Sequence, residues 1–317
     1  MSIYLGIDTS NYTTSAALFD SDKFQIRQSK KLLPVKEGEL GIRQSDAVFH
    51  HVKQLPQMLA ELNISIEESI SAVGVSAKPR NAEGSYMPCF LVGEAVADSI
   101  GCVSHKPVYK TSHQVGHILS ALYSCERLDL VCSDKPFLAF HVSGGTTDCL
   151  LAQGDEREVM SVGEISSSLD LKAGQLIDRV GLMLGLTFPC GAELEKLAMQ
   201  SERQYKINPT LKNGCCCLSG VENICRDMQS SGEKPCDIAL YALKYIEAAI
   251  YKMTEYALES IGGKDTPVIY AGGVMSDMLI RKKLSDSFNA YFSEPWYSCD
   301  NAAGTAVFAA VKDGFKL

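Results

Sequence analysis

Residues 3–7 form a short apolar run, a small polar turn follows at 8–14, and a second apolar run covers Ala16–Phe19. Strand, small polar turn, strand is the pattern of a β-hairpin. The same order recurs at Phe137–Val142, Ser143–Asp148 and Cys149–Ala152, and both turns carry a Thr-Thr pair just before the second strand. Two such copies predict a duplicated domain, each half opening on a hairpin. Between them, Ala72–Ser76 reads as a strand, Leu91–Ile100 as a helix capped by Gly101, Pro107–Tyr109 as a short strand and 113–123 as a helix. After the second hairpin, 170–185 has a helical apolar rhythm that ends at Gly185. Residues 236–260 form a long amphipathic helix along Ile238, Leu243, Ile246, Ile250 and Met253. Pro267–Ala271 reads as a strand running into Gly272-Gly273, with a helix starting near Ser276 and a last helix at 301–312. Residues 201–235 are polar and irregular and predict an insertion or loop region. The alternation of strands and helices predicts an α/β fold.

Composition narrows the class. With 317 residues the chain is long enough for about two domains, and 46% hydrophobic with 21% charged residues is a globular composition. The first residues have no basic stretch and Asp8 ends the apolar run early, which argues against a signal peptide. No apolar run nears the ~20 residues of a membrane span, so the expectation is a soluble, cytoplasmic protein with no membrane partner. The 12 cysteines include Cys215-Cys216-Cys217 but no C-x-x-C pair, so buried thiols are expected rather than a zinc ribbon or disulfide framework. The net charge of -8 repels phosphate backbones. Action on nucleic acid then needs a partner or a local basic patch, for which Lys78, Arg80, Arg203, Lys206, Arg281, Lys282 and Lys283 are candidates.

Three sets of residues can carry chemistry. Small-residue turns follow apolar strands at 8–14, 143–148 and 272–277; such turns let a backbone approach an anion, and each taken alone is also an ordinary tight turn. None is a P-loop or a dinucleotide fingerprint. Asp8, just past the first strand, is placed to meet a metal or water near such phosphates, and with His113 and His117 it forms the catalytic candidates. In His113-Gln114-Val115-Gly116-His117 the two imidazoles lie one helical turn apart on one face. Such a pair binds a metal when a third ligand joins it, and is otherwise an ordinary histidine pair. Asp300, before the last helix, reads as that third ligand or as a helix N-cap. No H-E-x-x-H occurs, which disfavours a metallopeptidase. In the third set, Asp178 reads as an acceptor for ribose hydroxyls or as a solvated helix residue, and Gly191 permits close approach of a sugar.

Here the chain resembles the TsaD/Gcp family of tRNA threonylcarbamoyladenosine synthases. The segments that carry the likeness are Gly6–Ser10, Thr111–Ile118, His141–Thr147, Ala173–Arg179, Leu184–Leu186 with Phe188–Gly191, Ser219-Gly220, Gly272–Val274 with Arg281, and 300–303. The resemblance implies two RNase-H-like (actin-like ATPase) lobes around a nucleotide cleft: 1–130, with the 301–317 helix expected to pack on it, and 131–300, with a helical insertion at about 165–240. It implies one divalent transition metal, iron or zinc, on His113, His117 and Asp300. It also implies an adenine nucleotide, threonylcarbamoyl-AMP or ATP, with His141, Val142, Ser143, Gly144 and Gly145 cradling its phosphates. Asp178, Gly191 and Glu195 would hold the ribose, and Gly272, Gly273 and Asp277 would lie near the nucleotide. The implied reaction moves a threonylcarbamoyl group to N6 of the adenosine beside a tRNA anticodon, with helper or homologous subunits. Tyr12 and Thr13 stand where the family has an acidic pair, Thr146 replaces its histidine, Asp277 replaces its asparagine, and Lys78–Gly84 replaces a Gly-Pro-Gly turn. These departures imply a diverged paralogue: the same transferase, a carbamoyl-type transferase with another acceptor, or a non-catalytic partner subunit.

Overall fold

The computed structural model describes residues 2–10, 12–34, 42–65, 68–298 and 302–317. In chain order the first elements are β1 (Ile3–Asp8), β2 (Thr13–Asp20), β3 (Gln25–Leu32), α1 (Gln44–Glu61), β4 (Ile70–Lys78), α2 (Phe90–Ser104), β5 (Val108–Ser112) and α3 (His113–Ser124). A 3-10 turn at Leu128–Cys132 leads to β6 (Phe137–Val142), β7 (Thr147–Asp155), β8 (Val159–Ser167), α4 (Ala173–Met183), α5 (Gly191–Ala198), α6 (Ser219–Ser230) and α7 (Pro235–Ile261). Then follow β9 (Val268–Ala271), a 3-10 turn at Gly273–Ser276, α8 (Met278–Ser285), β10 (Ala290–Phe292), α9 (Pro295–Ser298) and α10 (Ala303–Lys312).

The duplication read from the two hairpins is visible in the topology. One sheet has the strand order β3-β2-β1-β4-β5 and the other β8-β7-β6-β9-β10, so the second repeats the first strand for strand. In each, the hairpin is antiparallel and the fourth and fifth strands run parallel to the first. The chain divides into two compact units. One comprises Met1–Ser133, Gly154–Ser161 and Trp296–Leu317; the other comprises Asp134–Gln153 and Val162–Pro295. In the first unit all six residues of β1 are buried, as expected for a strand covered on both faces. In the second, α7 starts with Pro235 in its first turn and stops at Gly262 in the left-handed region. Its Ile238, Leu243, Ile246, Ile250 and Met253 are buried in one core with Phe140 and Tyr270.

Helix α10 lies against β1, β4 and α3 because those elements carry glycine where it passes. Gly6 and Gly74 are partners across β1 and β4. A Cβ on Gly6 would strike the Ala302 carbonyl, one on Gly74 the Thr305 carbonyl, and one on Gly304 the Gly116 carbonyl of α3. These approaches need glycine because backbone, not a flexible side chain, occupies the space.

Two expectations are corrected. Gly101 does not cap α2; the helix runs on to Ser104 and ends at His105, which has φ 55. Gly101 is buried inside the helix because a Cβ there would strike Val108 of β5. The 201–235 stretch is not all irregular, since it contains α6, with Val221 and Cys225 buried. A carboxylate distant in sequence organises its start: Asp170 accepts from Leu218 N–H, from Ser219 N–H and from the Ser219 hydroxyl. The helix expected near Ser276 begins at Met278, after a separate 3-10 turn, with Asp277 as its cap.

Gly74→Ala is expected to cost about 1–3 kcal/mol, the usual penalty of overpacking a tight core, and to lower the urea midpoint. Gly163→Ala is the control, because nothing lies within 4 Å of a Cβ there; its midpoint is expected to stay near wild type.

Candidate functional site

Candidate residues gather where parallel strands end, the usual place for ligands in open α/β sheets. In the first unit β1 ends at Asp8, β4 carries Ser76 near its end, and β5 ends at Ser112, directly followed by α3. The Ser112 hydroxyl accepts from Val115 N–H and caps that helix, and Gln114 N–H donates to the Pro79 carbonyl. His113 is therefore the first helical residue, and His117 stands one turn later on the same face.

The side chains form a chain of contacts. Asp8 is 1% exposed. Its Oδ1 accepts from Ser10 N–H at 2.8 Å, and its Oδ2 meets the Ser76 hydroxyl at 2.6 Å and His113 Nδ1 at 2.8 Å. His113 Nε2 lies 2.8 Å from His117 Nε2. Burial alone would raise the Asp8 pKa, but the charge and hydrogen bond of His113, with the bonds from Ser10 and Ser76, bring it below the usual carboxylate value. Asp8 is thus an ionised, buried group turned toward His113 and not toward bulk water. Asp300 lies outside the described residues. Among the described residues no group of three His, Cys, Asp or Glu side chains is placed to hold a metal ion.

One polar group here escaped sequence reasoning. His51 of α1 is 0% exposed. Its Nδ1 lies 2.8 Å from the Thr14 hydroxyl, which donates to Gln54 Oε1 at 2.9 Å. The hydroxyl proton being used, Nδ1 carries the proton of this pair. His51 Nε2 and Ser10 Oγ find no hydrogen-bond partner among the described residues. Burial pushes the His51 pKa down to about 4, against the attraction of Asp8 and aided by His50, so the ring is neutral at physiological pH. The signal available in sequence was the His50-His51 pair on an amphipathic stretch. Cys89 is raised to about 11 by burial and by Asp8, which leaves it a thiol and no nucleophile.

In the second unit the equivalent strand ends, those of β6 and β9, carry the other turns. Ser143 N–H donates to the Thr146 carbonyl, and the Ser143 hydroxyl accepts from Gly145 and Thr146 N–H at 3.2 Å each. Gly144 and Gly145 have open space on their Cβ side. The start of α4 rests on this turn: Gly174 N–H donates to the Ser143 carbonyl, Ala173 N–H donates to the Thr147 hydroxyl, and a Cβ on Gly174 would meet Gly144. Gly272, with φ 104, abuts the Val142 carbonyl and sets the Gly272–Asp277 turn beside the end of β6. His141 and Val142 are the last residues of β6, with Val142 buried. The structure therefore brings together 141–145, the start of α4 and Gly272-Gly273.

Three carboxylates line neighbouring elements. Asp178 Oδ1 accepts from Cys190 N–H at 2.9 Å, just before Gly191 opens α5. Burial raises its pKa, and the Cys190 N–H opposes the rise. Glu195 accepts from Met278 N–H, and Asp277 accepts from Leu279 and Ile280 N–H. The first three N–H groups of α8 are thus all taken by carboxylates. Asp277, 7% exposed, is pushed up to about 6 by burial, with Glu195 and Glu247 adding and its two N–H donors opposing.

Known proteins resemble this chain in sequence and in fold. The tRNA N6-adenosine threonylcarbamoyltransferase family matches residues 26–307. A curated relative of that description from Nanoarchaeum equitans is 28% identical, over 94% of this chain and 90% of its own length. Among solved structures, component A of the Acidaminococcus fermentans (R)-2-hydroxyglutaryl-CoA dehydratase superposes with a TM-score of 0.56 at 15% identity, covering 99% of each chain. A ROK family glucokinase from Streptomyces griseus gives a TM-score of 0.55 at 11% identity, over 98% of this chain and 99% of that one. These structural likenesses show the shared actin-like and sugar-kinase-like ATPase fold. The match across most of the sequence shows the family: the chain belongs to the tRNA N6-adenosine threonylcarbamoyltransferases.

Proposed function

We propose that this chain transfers a threonylcarbamoyl group from threonylcarbamoyl-AMP to N6 of the adenosine 3′ of a tRNA anticodon, in the cytoplasm. The observation that carries the reading is the pair of converging histidine nitrogens, 2.8 Å apart, in a chain of this family. Imidazole binds zinc and iron at about 2.0–2.1 Å, so both nitrogens can reach one ion. His113 and His117 would hold it, with Asp300 as the third ligand. When bound it supplies Lewis-acid polarisation of the carbamoyl group.

The remaining work falls to the chain. The open Gly144-Gly145 backbone takes the phosphate, whose oxygen replaces the Ser143 hydroxyl as acceptor for the Gly145 and Thr146 N–H groups. Asp178 and Glu195 accept ribose hydroxyls, and Gly191 leaves room for the sugar. A bond forms from adenosine N6 to the carbamoyl carbon, the bond from that carbon to the phosphate oxygen breaks, and AMP leaves with the electron pair. The N6 proton passes to solvent. An acidic chain of net charge -8 does not attract tRNA by itself, so partner subunits supply much of that contact.

A second reading, carbamoyl-type transfer to another acceptor, is favoured by one observation. Tyr12, 38% exposed, and Thr13, buried, put no carboxylate where the family has two. Mass spectrometry of nucleosides from a strain lacking the chain separates the readings. Loss of N6-threonylcarbamoyladenosine, restored by wild type and not by His117→Ala, is the expected result. An unchanged level of that nucleoside rejects the first reading. Purified wild type is also expected to hold about one equivalent of zinc or iron, and His117→Ala none.

Asp178→Ala is expected to weaken adenine nucleotide binding at least several-fold by calorimetry, since it removes charge-assisted hydrogen bonds. Asp277 makes stability depend on pH. Its folded pKa of about 6 lies above the ordinary 3.8, so its contribution is full below the ordinary value and lost as pH rises through about 6. Asp277→Asn does not titrate. Its stability relative to wild type is therefore expected to rise by on the order of 2 kcal/mol between about pH 4 and pH 7.5, read from urea midpoints at the two pH values.

A further inference from the structure

We propose that Asp8 is a positioning residue that fixes the His113 tautomer, leaving Nε2 unprotonated and aimed at the metal, with Ser76 holding the carboxylate in place. The claim rests on the metal reading above and assigns Asp8 a role away from phosphate, water and the reacting atoms. The geometry leads there directly. Ser10 N–H already donates to one oxygen of Asp8 and the Ser76 hydroxyl to the other, so both oxygens stand as acceptors and the 2.8 Å contact to His113 Nδ1 places the proton on Nδ1. Whenever the ring is neutral, as a metal ligand must be, a proton on Nδ1 leaves the lone pair on Nε2, the atom that faces His117.

The carboxylate itself has little freedom. Ser10 N–H holds Oδ1, while the Ser76 hydroxyl and His113 share Oδ2. Asp8 and Ser76 sit on adjacent parallel strands, β1 and β4, where Gly6 pairs with Gly74 and Ile7 with Val75. The sheet therefore sets the carboxylate, the carboxylate sets the ring, and the ring presents Nε2. A carboxylate behind a ligating histidine also raises the basicity of the ligand nitrogen, and loss of such a partner typically costs about 10–100-fold in metal affinity.

The test uses full-length protein labelled with 15N-histidine and stripped of metal; with six histidines the long-range 1H–15N spectrum is sparse, and His113→Gln assigns the signal. Zinc affinity is measured separately by competition with a chromophoric chelator. At a pH where the His113 ring is neutral, the wild type is expected to show Nδ1–H and bare Nε2. Asp8→Asn is expected to change that pattern and to weaken zinc binding about 10–100-fold, with adenine nucleotide binding retained. An unchanged ring pattern and unchanged zinc affinity in Asp8→Asn would overturn the assignment. Where Asp8→Asn does not fold, Ser76→Ala tests the same claim: zinc affinity is expected to fall several-fold, and an unchanged value counts against it. Wild type binding zinc no better than His117→Ala sinks the metal reading, and with it the ligand role of Asp8. The tautomer spectrum still reports separately whether Asp8 sets the ring.

Discussion

A buried carboxylate is costly unless every charge-bearing oxygen is met, and in the first unit Asp8 is met by three donors. That requirement ties together parts of the chain that are remote in sequence. The backbone of the turn after β1, the hydroxyl of Ser76 on β4 and the ring of His113 at the start of α3 all converge on two oxygens. Each donor has its own place: the turn after β1, the neighbouring parallel strand, and a helix that follows β5 without a linking loop. The paired glycines beneath α10 belong to the same construction, since they let that helix lie close against β1 and β4.

The second unit solves a related problem with different groups. Its sheet has the same strand order, and its corresponding strand ends carry turns rich in Gly, Ser and Thr. In the Ser143–Thr146 turn a hydroxyl accepts from the backbone N–H groups of Gly145 and Thr146. Acid appears one shell further out, at Asp178, Glu195 and Asp277. The last two already satisfy the first N–H groups of α8. That helix start is therefore closed to phosphate and offers acceptors to hydroxyl donors. Two copies of one topology thus carry different polar groups at their strand ends.

Much of this was legible in the chain itself. The two hairpins, the long α7 and the strand into Gly272-Gly273 follow from apolar periodicity, because burial of one face imposes that period on local sequence. The His113–His117 pair was visible because four residues make about one helical turn. Helix α6 was not, because its start depends on Asp170, which lies far back along the chain. Gly101 misled for a similar reason. A glycine at a helix end and a glycine under a crossing strand are the same letter, and only Val108 of β5 tells them apart.

What the sequence by itself determined is the two hairpins with the duplication they imply, the long helix α7 and the candidate imidazoles, all of which depend on neighbours a few residues away. What only the tertiary structure decided is the use of each polar side chain. Asp8 faces His113, His51 pairs with Thr14 in the interior, and Asp277 shares the start of α8 with Glu195. Those outcomes depend on which strands lie side by side, and hydrogen bonds reach only about 3 Å, so pattern along the chain does not reveal them.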